Sequence, residues 1–370
     1  MKRRDFIANL GGTALAWPLV GLAQPSDRLR RIGVLMSTAE SDPEGRSRIA
    51  AFTQMLQTLG WTDGRNIQIN VRWDAGDAKR AQTHAAELLT LAPDLLVANA
   101  APALLAAQRE TSTIPIVFVQ VADPIGGGFV TNLAHPSGNI TGFTSFEEAM
   151  SAKWLQLLKE FVPSISRVAL LRSFGPASLA ARMMPAIDTA ARAMGVQLIT
   201  ADVRDRVSIE RAYDVFVRES SGGVIVMPDP FFTNNRDQLI ALASRHRLPA
   251  MYYFRYFATS GGLISYGPDT TDIYQRAASY VDRILKGAQP KDLPVQQPIK
   301  FELVINVNTA KALGLTIPQS LILRANSRSR YRSPCRAGLR PNPTFKRNPH
   351  RRGRPTRSPG IARAGAGRLT

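Results

Sequence analysis

Short apolar runs alternate with helix-patterned segments along most of this chain. Residues 32–36 form an apolar run that is typical of a buried parallel strand. Residues 44–59 then place Phe52, Leu56 and other apolar side chains on one helical face, and this segment ends at Gly60. A strand followed by a helix is the repeating unit of parallel α/β sheets, so the start of the chain favours that fold class.

The strand–helix unit recurs in two successive sets. The apolar runs predict strands at 32–36, 66–73, 94–98 and 114–119, and then at 168–171, 196–199, 223–227 and 249–253. Helical spacing predicts helices at 44–59, 77–91, 102–111, 148–161, 176–194, 208–219 and 235–246. Two such sets predict two doubly wound, Rossmann-like lobes. A strand at 262–266, a helix at 269–286 and a strand at 301–305 follow, and late elements of this kind often return to the first lobe and create a multi-strand hinge.

The net charge of +19 is concentrated at the two ends of the chain. The sequence has 47 Lys and Arg against 28 Asp and Glu, but residues 325–370 hold thirteen basic residues and no acidic one. Residues 24–324 carry only +4. With 44% apolar and 20% charged residues overall, the composition is that of a globular protein whose body is only mildly basic.

Residues 325–370 are predicted to form a basic disordered tail. Their acid-free Arg, Pro, Ser and Gly composition indicates translation of GC-rich DNA in a shifted reading frame. The alternative is a functional arm that binds nucleic acid or anionic lipid. Because Tyr331 and Phe345 are the only aromatic residues there, the pattern differs from that of a single-strand binder, and no specific nucleic-acid partner is expected.

The first 23 residues have the pattern of an export signal. A basic start with Arg3 and Arg4 precedes a weakly apolar stretch, and Ala23 ends a run of small residues where a signal peptidase would cleave. Paired arginines before Phe6 resemble the twin-arginine signal, which predicts a periplasmic location. The alternative is an uncleaved basic amphipathic terminus.

Motifs of catalysis and of cofactor binding are absent from the sequence. The single cysteine, Cys335, lies in the tail, which excludes thiol catalysis and cysteine-ligated metals from the body. The glycine cluster at 126–128 has neither dinucleotide-binding spacing nor the lysine of a P-loop, and the four histidines show no ligand spacing. No nucleophile elbow and no helix-turn-helix occur. We therefore predict no catalytic residue, no metal and no cofactor.

Polar and aromatic residues gather instead where the predicted strands end. Open α/β sheets bind ligands at the carboxyl ends of their strands, so these residues predict a ligand-binding cleft between the lobes. Asp123 and Asp229 are the expected partners of a cationic amine, although Asp-Pro steps are also common as turns and helix caps. The predicted site consists of Ser37, Thr38, Trp73, Asn99, Asp123, Phe174, Asp229, Phe232, Tyr252 and Tyr266. In it, Ser37 and Thr38 would form hydrogen bonds, and Trp73, Phe232, Tyr252 and Tyr266 would cover the apolar faces of the ligand.

Several longer stretches resemble one known family. They are Ser-Thr-Ile-Pro-Ile-Val-Phe at 112–118, Gly-Asn-Ile-Thr-Gly at 138–142, Asp-Pro-Phe-Phe at 229–232, Gly-Gly-Leu-Ile-Ser-Tyr-Gly at 261–267, and the stretches 293–298, 301–306 and 310–315. With the signal-like start, they resemble the ABC transporter substrate-binding proteins related to tryptophan- and tyrosine-binding receptors, which have the type I periplasmic binding protein fold.

The resemblance implies a domain plan and a function. It implies an export signal at residues 1–23. Lobe 1 would comprise 29–145 and 260–290, and lobe 2 would comprise 146–259 and 297–323. The chain would cross the hinge near 143–148, 255–261 and 290–299. It also implies a monomer that captures a small organic solute in the periplasm, an aromatic or apolar amino acid, and delivers it to an ABC permease and its ATPase. A secreted α/β enzyme acting on a small substrate is the alternative function, and it would need a nucleophile–base or acid–base pair.

Overall fold

Two parallel sheets carry the chain in the computed structural model, which describes residues 28–136, 138–173, 179–219, 222–325 and 327–329. The predicted export signal, Phe174 and nearly all of the predicted tail lie outside the described residues. The prediction of two doubly wound α/β lobes is confirmed, with a five-stranded and a seven-stranded sheet.

The first lobe is built from the first three strand–helix units and the two strands that follow them. Its strands are β1 (Arg30–Met36), β2 (Ile67–Trp73), β3 (Leu95–Asn99), β4 (Ile116–Val121) and β5 (Ile140–Thr144). The helices between them are α1 (Pro43–Thr58), α2 (Ala78–Thr90) and α3 (Ala100–Glu110). All strand pairs are parallel, in the order β2-β1-β3-β4-β5.

The second lobe repeats this plan with more elements. Its helices are α4 (Met150–Phe161), α5 (Leu179–Met194), α6 (Arg206–Glu219), α7 (Pro230–Asn234), α8 (Arg236–Arg245) and α9 (Arg255–Thr259). Its consecutive strands are β6 (Arg167–Ser173), β7 (Gln197–Val203), β8 (Gly223–Val226), β9 (Ala250–Tyr252) and β10 (Ile264–Pro268). After β10 the chain returns to the first lobe as α10 (Thr270–Leu285). The last elements are β11 (Phe301–Asn306), α11 (Val307–Ala312), α12 (Gln319–Arg324) and β12 (Ser327–Ser329).

The second sheet has the order β12-β11-β10-β9-β8-β6-β7. Its pairs are parallel except that β11 runs antiparallel to β10. Because Ser327–Ser329 pair with β11, the predicted start of a disordered tail at residue 325 is too early.

Helices cover both faces of the first sheet, which explains why β3, β4 and β5 are buried on both sides, whereas the edge strand β2 alternates polar and apolar residues. Phe52 of α1 and Tyr274 of α10 are fully buried against one face. Ala85 of α2 and Leu104 of α3 are buried against the other. Burial of both faces fixes the strand ends as the part of each sheet that remains open to a ligand.

The chain passes between the lobes three times, and one predicted crossing is wrong. The observed crossings are β5 to α4, β10 to α10, and the segment between a 3-10 turn at Pro290–Asp292 and β11. Backbone hydrogen bonds join them, from Thr144 N to Gln296 O (2.9 Å), from Gln296 N to Gly142 O (2.9 Å) and from Asp269 N to Lys300 O (3.0 Å). Adjacent crossing strands of this kind make a hinge.

The predicted crossing at 255–261 fails because its glycines serve another purpose. Gly261 adopts a φ of 118° and Gly262 N donates to Phe257 O (2.8 Å), so the two residues end α9 and lead into β10. β10 pairs with β9 in the second sheet. Residues 260–268 therefore belong to the second lobe, not to the first, and the crossing occurs between β10 and α10.

Candidate functional site

A cavity of about 720 Å³ lies between the lobes at the carboxyl ends of their strands. The first lobe contributes the residues that follow β1, β3 and β4, and the second lobe contributes those that follow β8 and β9. We call this cavity the cleft. Its position is the one that open parallel sheets offer to a ligand.

Five of the ten predicted site residues line the cleft. They are Ser37, Thr38, Asn99, Asp123 and Asp229. They come from both lobes and from four different strand ends. The rule that ligands bind at strand ends therefore located the cleft from sequence.

Four predicted residues lie elsewhere. Trp73 packs on the core of the first lobe, and Phe232 is fully buried in the core of the second. Tyr252 is also fully buried and stacks on Phe257 with ring centroids 4.8 Å apart. Tyr266 stacks on Phe301, at 5.9 Å, on β10. Phe174 lies outside the described residues.

The aromatic wall of the cleft consists of residues that were not predicted, and two of them adjoin predicted ones. The cleft is lined by Phe129, Phe146, Phe231, Tyr253, Phe254 and Tyr256. Phe231 lies beside Phe232, and Tyr253 lies beside Tyr252. Successive side chains of an extended segment point to opposite faces, which explains the exchange at the end of β9, whereas Phe231 and Phe232 differ because they lie on different sides of the short helix α7.

The floor of the cleft is a hydrogen-bonded network between strand ends. Ser37 N donates to Asn99 Oδ1 (3.3 Å), and Ser37 Oγ donates to Asn99 O (2.9 Å) and lies 3.3 Å from Asp74 Oδ2. Asn99 Nδ2 donates to Gln120 Oε1 (3.0 Å). The predicted residues Ser37 and Asn99 therefore hold three strand ends together beneath the ligand space.

Asp74 is a buried carboxylate in this network. Its side chain has no exposed surface. Burial raises its pKa to about 6, although the hydrogen bonds from Gly76 N and Ser37 act to lower that pKa. Gly76 N lies 2.7 Å from Asp74 Oδ1. The carboxylate fixes the turn that carries Ala75 and Gly76 into the cleft wall.

Strained backbone concentrates at the cleft. Ala75, Ala100 and Gln120 have φ values of 53°, 64° and 61°, and all three line the cavity. Left-handed conformations are costly for residues with a Cβ and often mark ligand sites. Ala100 stands at the first position of α3, whose cap residue Asn99 makes no side-chain cap hydrogen bond, so the amino end of this helix is open toward the cleft.

The two predicted aspartates differ in their partners. Asp123 forms an ion pair with Arg182 of α5 across the cleft and accepts a hydrogen bond from Gly126 N (2.7 Å). Its charge is thus neutralised within the protein.

Asp229 has no such cation among the described residues. It caps α7, with Phe231 N 2.7 Å from Oδ1, and it accepts a hydrogen bond from Ser173 Oγ at 2.5 Å. Burial raises its pKa, and those two hydrogen bonds act in the opposite direction. A buried carboxylate without a cation favours a cationic ligand group.

Contacts across the cleft mouth hold the lobes together. Arg236 Nη1 lies 2.5 Å from Asp42 Oδ2, and Asn234 Nδ2 donates to the carbonyls of Ser37 (3.3 Å) and Ala75 (3.2 Å). Asn234 and Arg236 belong to the second lobe, and their partners belong to the first. These polar contacts were missed from sequence because they form only between lobes.

The described residues offer neither a metal site nor a membrane span. No group of His, Cys, Asp or Glu side chains there is placed to hold a metal ion. No helix there combines the length and the apolar character needed to cross a bilayer.

Two α/β lobes, three hinge crossings and a cleft at the strand ends define this molecule as a two-lobed solute-binding protein of the type I periplasmic fold. Residues 40–329 match the family model described as ABC transporter substrate binding protein, and the chain belongs to that family. The resemblance seen in the sequence is confirmed.

Known relatives agree with this assignment. A tyrosine-binding protein of Clostridioides difficile (strain R20291) is 23% identical over 265 residues, which cover 71% of this chain and 75% of the relative. The crystal structure of a conserved domain protein from Vibrio cholerae superposes with a TM-score of 0.75 at 26% identity, covering 82% of this chain and 100% of that one. An ABC domain in complex with L-Trp from Streptococcus pneumonia gives a TM-score of 0.75 at 24% identity, covering 81% and 100%.

Proposed function

We propose that this protein captures an amino acid with an aromatic or apolar side chain in its cleft and delivers it to an ABC permease and its ATPase. The observation that carries the proposal is the half-buried carboxylate of Asp229, which has no cationic partner among the described residues and lies beside an aromatic wall. The name of the tyrosine-binding relative and the L-Trp bound to the structural relative support the same ligand class.

The energetics suit reversible capture. An aromatic side chain that buries about 150–250 Å² gains roughly 4–6 kcal/mol from the hydrophobic effect. A charged hydrogen bond from the ligand ammonium to Asp229 adds about 1.5–3 kcal/mol. After the costs of association, a dissociation constant near 1 μM, about −8 kcal/mol, is within reach.

The signal-like start at residues 1–23 supports a periplasmic site of action. The absence of a nucleophile–base motif in the sequence supports binding without turnover. A solute-binding protein releases the solute that it captured, whereas the alternative, a secreted enzyme, would release a product. The chemical identity of the released molecule therefore separates the two functions.

A thermal-shift screen over the twenty amino acids tests the proposal, because a ligand that binds the native state raises the melting temperature. Tyrosine, tryptophan, phenylalanine or leucine should give the largest shifts, and mass spectrometry should recover the ligand unchanged. Stabilisation by no amino acid, or conversion of the ligand, would refute the proposal.

Replacing Phe231 with alanine should weaken binding of an aromatic amino acid about tenfold, or roughly 1.4 kcal/mol. Phe231 is half-buried in the cleft wall, so the change removes ligand contact with little loss of core packing. Calorimetric titration measures the effect. Phe301→Ala is the matched control, since Phe301 is also half-buried but stacks on Tyr266 away from the cleft. Equal affinities for the two variants would remove Phe231 from the site.

A further inference from the structure

Arg48 of α1 is a buried cation at the cleft. Its residue is 3% exposed, and it lines the cavity. The guanidinium carbon lies 5.3 Å from the ring centroid of Tyr256 and 5.8 Å from that of Phe254. Both rings belong to the second lobe, so the charge of a first-lobe helix is covered by the opposite lobe.

The charge of Arg48 is not balanced by the protein. Its Nε and Nη2 atoms have no hydrogen-bond partner, and no carboxylate of the described residues is in ion-pair contact with it. Glu44, one turn earlier on α1, acts electrostatically on Arg48 but is not in ion-pair contact with it, while Asp42 pairs with Arg236 and Asp123 pairs with Arg182. Aromatic faces attract a cation but do not satisfy its N–H donors, and a hydrogen bond with the Tyr256 hydroxyl still leaves Nε and Nη2 unsatisfied. A buried charge without a hydrogen-bonded counterion is unfavourable, and it points to a partner that arrives with the ligand.

Two neutral donors of the same cleft are also unused. The hydroxyls of Thr38 and Ser145 are buried, line the cavity and have no hydrogen-bond partner among the described residues. Native proteins leave few such groups unpaired. A guanidinium and two hydroxyls together offer donors to a planar anion, and a carboxylate accepts several hydrogen bonds in that geometry.

We propose that Arg48 receives the carboxylate of the captured solute and thereby restricts the cleft to carboxylate-bearing ligands, with Thr38 and Ser145 as supporting donors. This rests on the proposed function and deepens it, because Asp229 then receives the ammonium group and the aromatic wall receives the side chain. The rings of Phe254 and Tyr256 lie beside the guanidinium, and its Nε and Nη2 donors are left for the ligand carboxylate. Amines and amides that lack the carboxylate are rejected because Arg48 then stays buried and unpaired.

Matched ligands isolate this contact. L-Tyrosine carries both charges, tyramine lacks the carboxylate, L-tyrosinamide replaces it by an amide, and 3-(4-hydroxyphenyl)propionate lacks the ammonium. The same set is built on L-tryptophan and on L-leucine. Calorimetric titration of the full chain with each ligand gives the ratio between the affinity for the amino acid and the affinity for the amine that lacks its carboxylate.

The wild-type protein should prefer L-tyrosine over tyramine by at least about 100-fold, and Arg48→Gln should reduce this preference to below about fivefold. Arg48→Lys should retain an intermediate preference, since an ammonium supplies the charge without the planar fork. The matched control is Arg46→Gln, which removes the same charge from an exposed position of the same helix and should keep the wild-type ratio.

A folded Arg48→Gln variant with the wild-type ratio of affinities for L-tyrosine and tyramine would overturn the proposal. Arg48 would then be only a packing contact between the lobes. If that variant does not fold, a wild-type ratio in Arg48→Lys overturns the proposal equally. A wild-type protein that binds none of the carboxylates also overturns it. Binding of 3-(4-hydroxyphenyl)propionate without binding of any amino acid would refute the proposed amino-acid function while it upholds the role of Arg48.

Discussion

Replacing Asp229 with asparagine is expected to lower the affinity for an amino acid by about 30-fold or more. Truncating one partner of a buried charge pair costs about 2–5 kcal/mol, because the other charge then stays buried without a counterion. The amide keeps an oxygen for the Phe231 N–H and so preserves the cap of α7. The loss should therefore appear in binding and not in folding.

Calorimetric titration with L-tyrosine or L-tryptophan measures this loss. Asp269→Asn is the matched control, because Asp269 also caps a helix, α10, but does not line the cleft. Wild-type affinity in Asp229→Asn would exclude Asp229 as the ammonium partner.

The pH dependence of binding follows from the same carboxylate. Burial raises the pKa of Asp229 in the unliganded protein, and only the ionised form attracts an ammonium group. Affinity should therefore fall as the pH drops through that raised pKa, and Asp229→Asn should remove this part of the pH dependence.

Replacing Asp74 with asparagine is expected to change how stability depends on pH. The folded-state pKa of Asp74, about 6, lies above its ordinary value of 3.8, so folding disfavours the ionised form. The wild-type free energy of unfolding should therefore gain a contribution from this group as the pH falls from about 7 to 4, at most about 3 kcal/mol. Asp74→Asn cannot ionise and should lose this contribution, while its amide can still accept from Gly76 N.

Urea unfolding at several pH values between 4 and 7.5 measures this effect. The difference between wild type and Asp74→Asn isolates Asp74 from other carboxylates with a raised pKa, such as Glu302. Asp77→Asn is the control, because Asp77 lies three residues away but its pKa is lowered by the hydrogen bond from Arg80 N. Parallel curves for wild type and Asp74→Asn would show that Asp74 is not the group that titrates.

Much of the architecture could be predicted because parallel strands buried on both faces leave a clear pattern. Apolar runs separated by helical spacing located most strands and helices to within a few residues, but not β5, α7 or α9, and the strand-end rule then located the cleft. The pattern could not assign β10, because a strand followed by a helix can belong to either lobe. The pairings of Ile264 with Met251 and of Ser265 with Tyr252 place it in the second sheet.

The candidate site was harder to predict than the fold, for two physical reasons. β9 has only three residues, too few for alternation to show whether Tyr252 or Tyr253 faces the cleft. Arg182, the cationic partner of Asp123, comes from the opposite lobe, and so do the rings over Arg48. These residues are too distant in sequence for a local pattern to predict the contacts. Arg48 itself was missed because an arginine within an amphipathic helix ordinarily indicates an exposed position.

The central claim is that the cleft binds an amino acid and releases it unchanged. Calorimetric titration of the purified protein with L-tyrosine and L-tryptophan, followed by mass spectrometry of the released ligand, tests it most directly. The account predicts one ligand per chain, a dissociation constant near 1 μM or tighter, and an unaltered ligand mass. No binding of either amino acid, or a changed mass after release, would contradict it.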